Sequence, residues 1–284
     1  MGRPMAMNLL NAGHPLWVHA RRPAVMAALT DAGATGCASA AQVAAHCEII
    51  FICVSDTQDV EQVITGENGI IEKARPDCIV VDMSTISPSA TRALASELAS
   101  KQIHMLDAPV SGGEQGAING TLSIMVGGEQ PIFERVLPYF EVMGKNIVHI
   151  GENGAGQVTK ACNQVLIGQT IAAIGEAFIL ASASGVDPAK VRQALLGGFA
   201  GSRVLESHGQ RMLERNFNPG FKARLHQKDM RIALEAAHEL GIALPGAAIV
   251  AQYLNAVVGH GDGDHDSISI LKLQEGLSGI MVTK

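Results

Sequence analysis

The chain has 284 residues and a formal net charge of −6, from 21 Lys and Arg against 27 Asp and Glu. Apolar residues make up 47% and charged residues 17%, which excludes a disordered chain and leaves enough apolar surface for a sizeable core. No basic run offsets the acidic balance, which argues against nucleic acid or an anionic membrane surface as partner.

Residues 2–10 read as a helix with no strand ahead of them. Apolar runs of strand length then follow at 16–20, 48–54, 78–82, 103–106, 122–126 and 146–150. Amphipathic stretches lie between them at 23–32, 40–46, 60–73, 88–100 and 131–143. Strands alternating with helices predict an α/β domain, a parallel sheet covered by helices on both faces. Ser87-Pro88 is a helix start, an N-cap followed by Pro at the first helical position. Gly13 and Gly33 stand where helices end.

After Gly151 the strand-like runs stop. Residues 156–184 read as one long apolar helix, followed by helices at 188–196, 202–215, 226–240, 247–258 and 267–277. A boundary in the Gly-rich turn at 151–156 divides the chain into 1–152 and an all-α domain at 153–284. Residues 165–185 carry one charge, Glu176, and are long enough to span a bilayer. Gln169, Thr170, Ser182 and Ser184 interrupt that stretch, so a buried helix at a domain or subunit interface is expected. The N-terminus shows no long apolar signal region. The five cysteines, Cys37, Cys47, Cys53, Cys78 and Cys162, are odd in number and lack C-x-x-C spacing. Reduced thiols in a cytoplasmic protein are expected. The loop from Gly259 to Asp266 has His and Asp but no metal-site spacing; Asp266 or Ser267 is expected to cap the last helix.

Four longer motifs follow one another. They are Asp82-Met83-Ser84-Thr85-Ile86-Ser87-Pro88, Asp107-Ala108-Pro109-Val110-Ser111-Gly112-Gly113, Gly154-Ala155-Gly156-Gln157-Val158-Thr159-Lys160-Ala161-Cys162-Asn163-Gln164, and Leu225-His226-Gln227-Lys228-Asp229. With Met1-Gly2-Arg3-Pro4-Met5-Ala6 at the start, the chain resembles the β-hydroxyacid dehydrogenases over essentially its whole length. The resemblance implies a Rossmann-like doubly wound sheet for nicotinamide dinucleotide, followed by a helical domain. It also implies a strand and two fingerprint glycines ahead of Met1. Of that fingerprint only Gly2 is present here. A reading frame opened at an internal Met is the expected cause.

Within the family, Gly116-Ala117, the run from Gly120 to Gln130 and the run from Leu225 to Asp229 point to reduction of tartronate semialdehyde to glycerate. Oxidation of 3-hydroxyisobutyrate is the alternative. A non-catalytic or truncated family member is the alternative of another class. Lys160, near the start of the long helix, is expected to be the general acid, because desolvation and the positive helix end both ease loss of its proton. Asn163 and Gln164 lie near the same helix face and are both carried as substrate amides. Ser111, Gly112 and Gly113 are expected to hold the substrate carboxylate.

The resemblance places the cofactor against Met1, Gly2, Val54, Ser55, Thr85 and Lys228. The strand-end run Val18-His19-Ala20-Arg21-Arg22 has no acid for a ribose hydroxyl. Arg21 and Arg22 could clamp a 2′-phosphate instead, so NADP is favoured over NAD. No metal is expected. A small-molecule substrate and a homo-oligomer, dimer or tetramer, complete the expectations.

Overall fold

A computed structural model describes residues 1–283. The chain divides into two compact units, Met1–Lys160 and Ala161 onward. The first unit opens with α1 (Gly2–Asn11), β1 (Trp17–Val18), α2 (Pro23–Asp31), β2 (Thr35–Gly36), α3 (Ala40–His46), β3 (Ile49–Ile52) and α4 (Thr57–Thr65). It continues with β4 (Ile79–Asp82), α5 (Pro88–Ala99), β5 (His104–Asp107), β6 (Val110–Ser111), α6 (Gly113–Ile118), β7 (Leu122–Gly127), α7 (Gln130–Met143) and β8 (Gly144–Gly151).

The expected α/β architecture is present. Ser87 caps α5 by accepting the Ala90 N–H at 3.4 Å, with Pro88 at the first helical position. Three details differ from expectation. The helix expected at 60–73 is instead α4, which starts at the Asp56 cap, plus a separate 3-10 turn at Ile70–Glu72. Asn68 between them has a positive φ of 58°, which a continuing helix does not allow. The strands β2 and β6 and the six-residue α6 have no counterpart in the pattern, being too short to show a period.

The sheet is also mixed rather than wholly parallel. Strands β3, β4 and β5 are parallel, with Ile50 opposite Val80 and Val80 opposite Met105. Strand β7 runs antiparallel to β5 and β6, and β8 parallel to β7. The chain turns back at Gly112 and Gly113, whose φ values are 135° and 63°; the first is open to glycine alone and the second favours it. The short α6 cannot serve as the longer crossover that a parallel return requires. Strands β1 and β2 form their own parallel pair, with no ladder to β3 among the described residues.

Strand β4 is buried at every position, as a strand with helices on both faces must be. Its Ile79 and Val81 join Met5 and Leu9 of α1 and Val136 and Phe140 of α7. Val80 points the other way, to Val60 and Ile64 of α4 and Leu94 and Leu98 of α5. The period of two along one strand thus feeds two cores.

The next helix, α8 (Ala155–Ala183), starts at the ends of β5 and β7. Asp107 accepts the N–H of Gly154 at 2.7 Å and of Gln157 at 2.9 Å. A Cβ on Gly156 would overlap the Met125 carbonyl oxygen and lie 2.7 Å from that of Asp107. Only a residue without a side chain lets the helix start so close to the sheet.

In the second unit α8 is followed by α9 (Pro188–Leu196), α10 (Arg203–Leu213), α11 (Ala223–Glu239), α12 (Pro245–Gly259) and α13 (Ile270–Ser278). Ile171, Ile174 and Phe178 of α8 pack with Met212, Met230, Leu254 and Leu271. By length and composition α8 alone among the described helices could cross a membrane. It is buried along one face only: Leu166 and Leu180 are each 69% exposed. The single chain supplies neighbours to one side of it.

The polar loop after α12 faces cations. Asp262 pairs with Lys272 at 3.2 Å, and Asp264 pairs with Lys222 at 2.7 Å and Arg224 at 2.9 Å. Asp266 is fully buried, pairs with Arg211 at 3.0 Å, and caps the turn Ser267–Ser269 that leads into α13.

Two outcomes follow from this packing. Gly156→Ala should lower the unfolding free energy by about 2 kcal/mol or more, because backbone cannot yield as a side chain can; urea denaturation measures it. All five cysteines are unpaired thiols. Burial pushes the Cys53 and Cys78 thiols up to about 11, whereas Cys162 is exposed. At pH 8 a thiol reagent should therefore label Cys162 first and spare Cys53 and Cys78 until the chain unfolds, and Cys162→Ser should remove the fast phase.

Candidate active site

Of the candidate cofactor residues of the first unit, Met1, Gly2, Val54, Ser55 and Thr85 lie around the carboxyl ends of β3 and β4, and Arg21 does not. Helix α1 begins there without a side-chain cap, and Gly2 lies against Cys53, its would-be Cβ 3.5 Å from the Cys53 Cβ. Met1 is 40% exposed at the same helix start. Val54 follows β3, and its N–H donates to the Ser84 hydroxyl at 2.9 Å. Ser55 is exposed beside it. Thr85 is half-buried between the buried Ser84 and Ile86.

The segment after β4 belongs to no helix or strand, so its backbone groups need partners from elsewhere. The Ser84 N–H donates to Asp82 at 2.9 Å. Gln157, only 1% exposed, supplies two more partners. Its amide nitrogen donates to the Ser84 carbonyl at 2.9 Å, and its amide oxygen accepts the Ile86 N–H at 3.1 Å. Lys160 follows three residues later on α8, and is 7% exposed. Burial pushes the Asp107 carboxyl up, while the N–H groups of Gly154, Gln157 and Gly156 pull it back down.

Ser111 pairs with Ser123 across β6 and β7, and Gly112 and Gly113 lie exposed at the start of α6. Arg21 is 72% exposed and donates to Asp59 of α4 at 2.9 Å. An exposed pair of this kind contributes little to stability and leaves the guanidinium accessible.

In the second unit, Asn163, Gln164 and Lys228 form one chain through Asp229. Asn163 donates to the Gln164 carbonyl oxygen at 2.8 Å, and Gln164 donates to Asp229 at 2.6 Å. The other Asp229 oxygen lies 3.0 Å from the Lys228 ammonium. Lys228 is no surface residue: its side chain is 12% exposed, and that of Asp229 is 2%. Gln164 is buried with both ends of its amide engaged, whereas Asn163 is half-buried.

Two residues that shape the site escape a reading of residue types. Gln157 is three residues before Lys160, yet nothing in its spacing says what its amide reaches. Asp107 ends an apolar run and gives no sign that it will receive a helix from 47 residues further on.

The family described as the NAD binding domain of 6-phosphogluconate dehydrogenase matches residues 1–151. That described as NAD-binding of NADP-dependent 3-hydroxyisobutyrate dehydrogenase matches residues 154–274. The chain is 48% identical to 2-hydroxy-3-oxopropionate reductase of Escherichia coli over 275 residues, covering 97% of this chain and 94% of that one. It is 35% identical to 3-hydroxyisobutyrate dehydrogenase of Pseudomonas aeruginosa, covering 97% and 94%. Among solved structures, 3-hydroxyisobutyrate dehydrogenase of Mycobacterium tuberculosis with L-serine matches with a TM-score of 0.89 and 29% identity, covering 96% of this chain and 95% of that one. The buried lysine on the helix that Asp107 seats, and the loops gathered at the strand ends, thus sit in a chain that belongs to the β-hydroxyacid dehydrogenase family, an NAD(P)-dependent oxidoreductase acting on CH–OH groups.

Proposed function

We propose that the chain reduces tartronate semialdehyde (2-hydroxy-3-oxopropanoate) to glycerate, with Lys160 as the general acid. The observation that carries this reading is the burial of Lys160, 7% exposed, three residues beyond the amide that holds the Thr85 segment. An ammonium is costly to desolvate, so one kept at such a place has a task. The Escherichia coli relative, a 2-hydroxy-3-oxopropionate reductase, supports the choice of aldehyde.

The residues at the strand ends fit a nicotinamide dinucleotide. The uncapped first turn of α1, with the Gly2 N–H and no Cβ beside Cys53, suits a phosphate. Val54, Ser55 and Thr85 would line the ribose and nicotinamide, and Lys228 is a cofactor candidate on the family resemblance. When bound, the dihydronicotinamide supplies the hydride that goes to the aldehyde carbon. Lys160 supplies the proton to the aldehyde oxygen, becomes a neutral amine, and regains a proton from solvent. Ser111 with the Gly112 and Gly113 N–H groups would hold the substrate carboxylate. Asn163 is the better candidate for the substrate hydroxyl, since the Gln164 amide is spent on its neighbours.

Oxidation of 3-hydroxyisobutyrate is the second reading, favoured by the Pseudomonas relative. The two substrates differ at C2, a hydroxyl against a methyl. A site that hydrogen-bonds the hydroxyl rejects the methyl analogue strongly. NADP is favoured by Arg21, whose exposed guanidinium could exchange Asp59 for a 2′-phosphate. Exposed Leu166, Leu180, Leu240 and Leu277 on the helical unit favour a homo-oligomer, and five unpaired thiols favour the cytoplasm.

Oxidation of NADPH and NADH by this chain should be followed with each aldehyde. Turnover with tartronate semialdehyde well above that with 2-methyl-3-oxopropanoate is expected; the reverse order would replace the substrate. A folded chain with no turnover on either would favour the non-catalytic reading. Lys160→Ala should lower kcat by about 100-fold or more while changing aldehyde KM little. Arg21→Ala should raise the NADPH KM by about tenfold and leave the NADH KM in place.

A further inference from the structure

We propose that Gln157 is a positioning residue of this reaction: its side-chain amide fixes the Ser84-Thr85-Ile86 segment in register with the helix that carries Lys160. The proposal rests on the reading above, in which Thr85 faces the cofactor and Lys160 the reacting oxygen.

Three observations support it. The amide bonds the two backbone groups that flank Thr85, the Ser84 carbonyl at 2.9 Å and the Ile86 N–H at 3.1 Å. A donor and an acceptor on one rigid plane leave that residue little rotational freedom, as a neighbouring strand would. Second, the Ser84 hydroxyl accepts the Val54 N–H at 2.9 Å, so the constraint reaches the end of β3 as well. Third, Gln157 and Lys160 are three apart on α8, which places their Cβ atoms about 5–6 Å from each other. The helix itself cannot slide, because Asp107 holds the N–H groups of Gly154 and Gln157. One buried amide, 1% exposed, therefore sets the distance between the cofactor segment and the acid. A side chain that only filled space would not need both polar ends satisfied across 71 and 73 residues of sequence.

The test uses two variants of the full chain. Gln157→Met keeps the bulk and removes both hydrogen bonds. Gln157→Glu keeps both while its carboxyl is protonated, donating to Ser84 and accepting from Ile86, and turns one into repulsion on ionisation. The charged groups facing that position are Asp82 beyond Ser84, Asp107 beneath the helix start, Lys160 on its own helix and Arg92, whose guanidinium approaches Gly154. Lys160, Arg92 and the positive start of α8 would lower the new carboxyl, while burial and the two aspartates would raise it; at Asp107, against the same helix start, burial is the larger effect, so the net direction is upward.

Dissociation constants for NADPH and NADH are read by fluorescence without substrate, and both KM values by steady-state kinetics. For Gln157→Met, cofactor Kd and KM should rise about tenfold and kcat should fall, with aldehyde KM little changed. Mere loss of folded protein would lower the rate and leave both KM values in place. For Gln157→Glu, cofactor binding should match the unsubstituted chain at pH 5.5 and be about tenfold weaker at pH 8, while the unsubstituted chain changes much less. Cofactor Kd within twofold of the unsubstituted chain in both variants, at both pH values, would overturn the proposal alone. If Gln157→Met does not fold, the Glu variant decides by the same criterion. If the unsubstituted chain binds neither cofactor, the reading of the function fails and this proposal fails with it.

Discussion

The first unit depends on how one long helix is seated at the carboxyl end of the interior strand β5. Asp107 ends β5 inside the protein, where a carboxylate is costly. It is tolerated because the N–H groups at the start of α8 converge on it. Those groups have no partner within the helix, and the positive helix end favours the charge they surround. Each side thus offsets the cost of the other. Glycine at position 156 lets the two approach, since any Cβ would collide with the carbonyls of Met125 and Asp107. The position of Lys160 follows from that seat, because a helix fixed at its first turn fixes the residue a turn later.

The same economy of partners recurs around the site. Ser84 accepts from Val54, donates to Asp82 and, through its carbonyl, accepts from Gln157. Irregular backbone between a strand and a helix is given the partners a strand would have had. In the helical unit Asp229 plays the corresponding part, taking the Gln164 amide on one oxygen and the Lys228 ammonium on the other. Gln164 thereby has both ends of its amide engaged, whereas Asn163 has only its nitrogen engaged, a difference that spacing alone does not show.

Periodicity and punctuation carried the fold a long way. The apolar runs of β3, β4, β5 and β7 are visible because each is buried on at least one face, and Ser87-Pro88 marks α5 because cap chemistry is local; the run of β8 is visible although its Val148 and Ile150 are exposed. The reversal of β7 was not visible. It depends on two glycines with positive φ and on strands of two residues, which leave no period to read. The single helix expected at 60–73 failed for a related reason. The apolar face of Val60, Ile64 and Ile70 stays in one core although the chain breaks between them.

The sequence by itself determined the alternation of strands and helices and the change to an all-helical second half. These follow from local rules, burial every second or every third to fourth residue and caps within one turn; the candidate site residues came from the motifs shared with the β-hydroxyacid dehydrogenases. Only the tertiary structure decided which partners those residues take. That Gln157 reaches back to Ser84 and Ile86, that Asp107 receives a helix, and that Gln164 meets Asp229 depend on residues 73 and 71, 47 and 65 apart. A hydrogen bond has no sequence period. It is fixed by where packing brings donor and acceptor, and that is settled by the whole core.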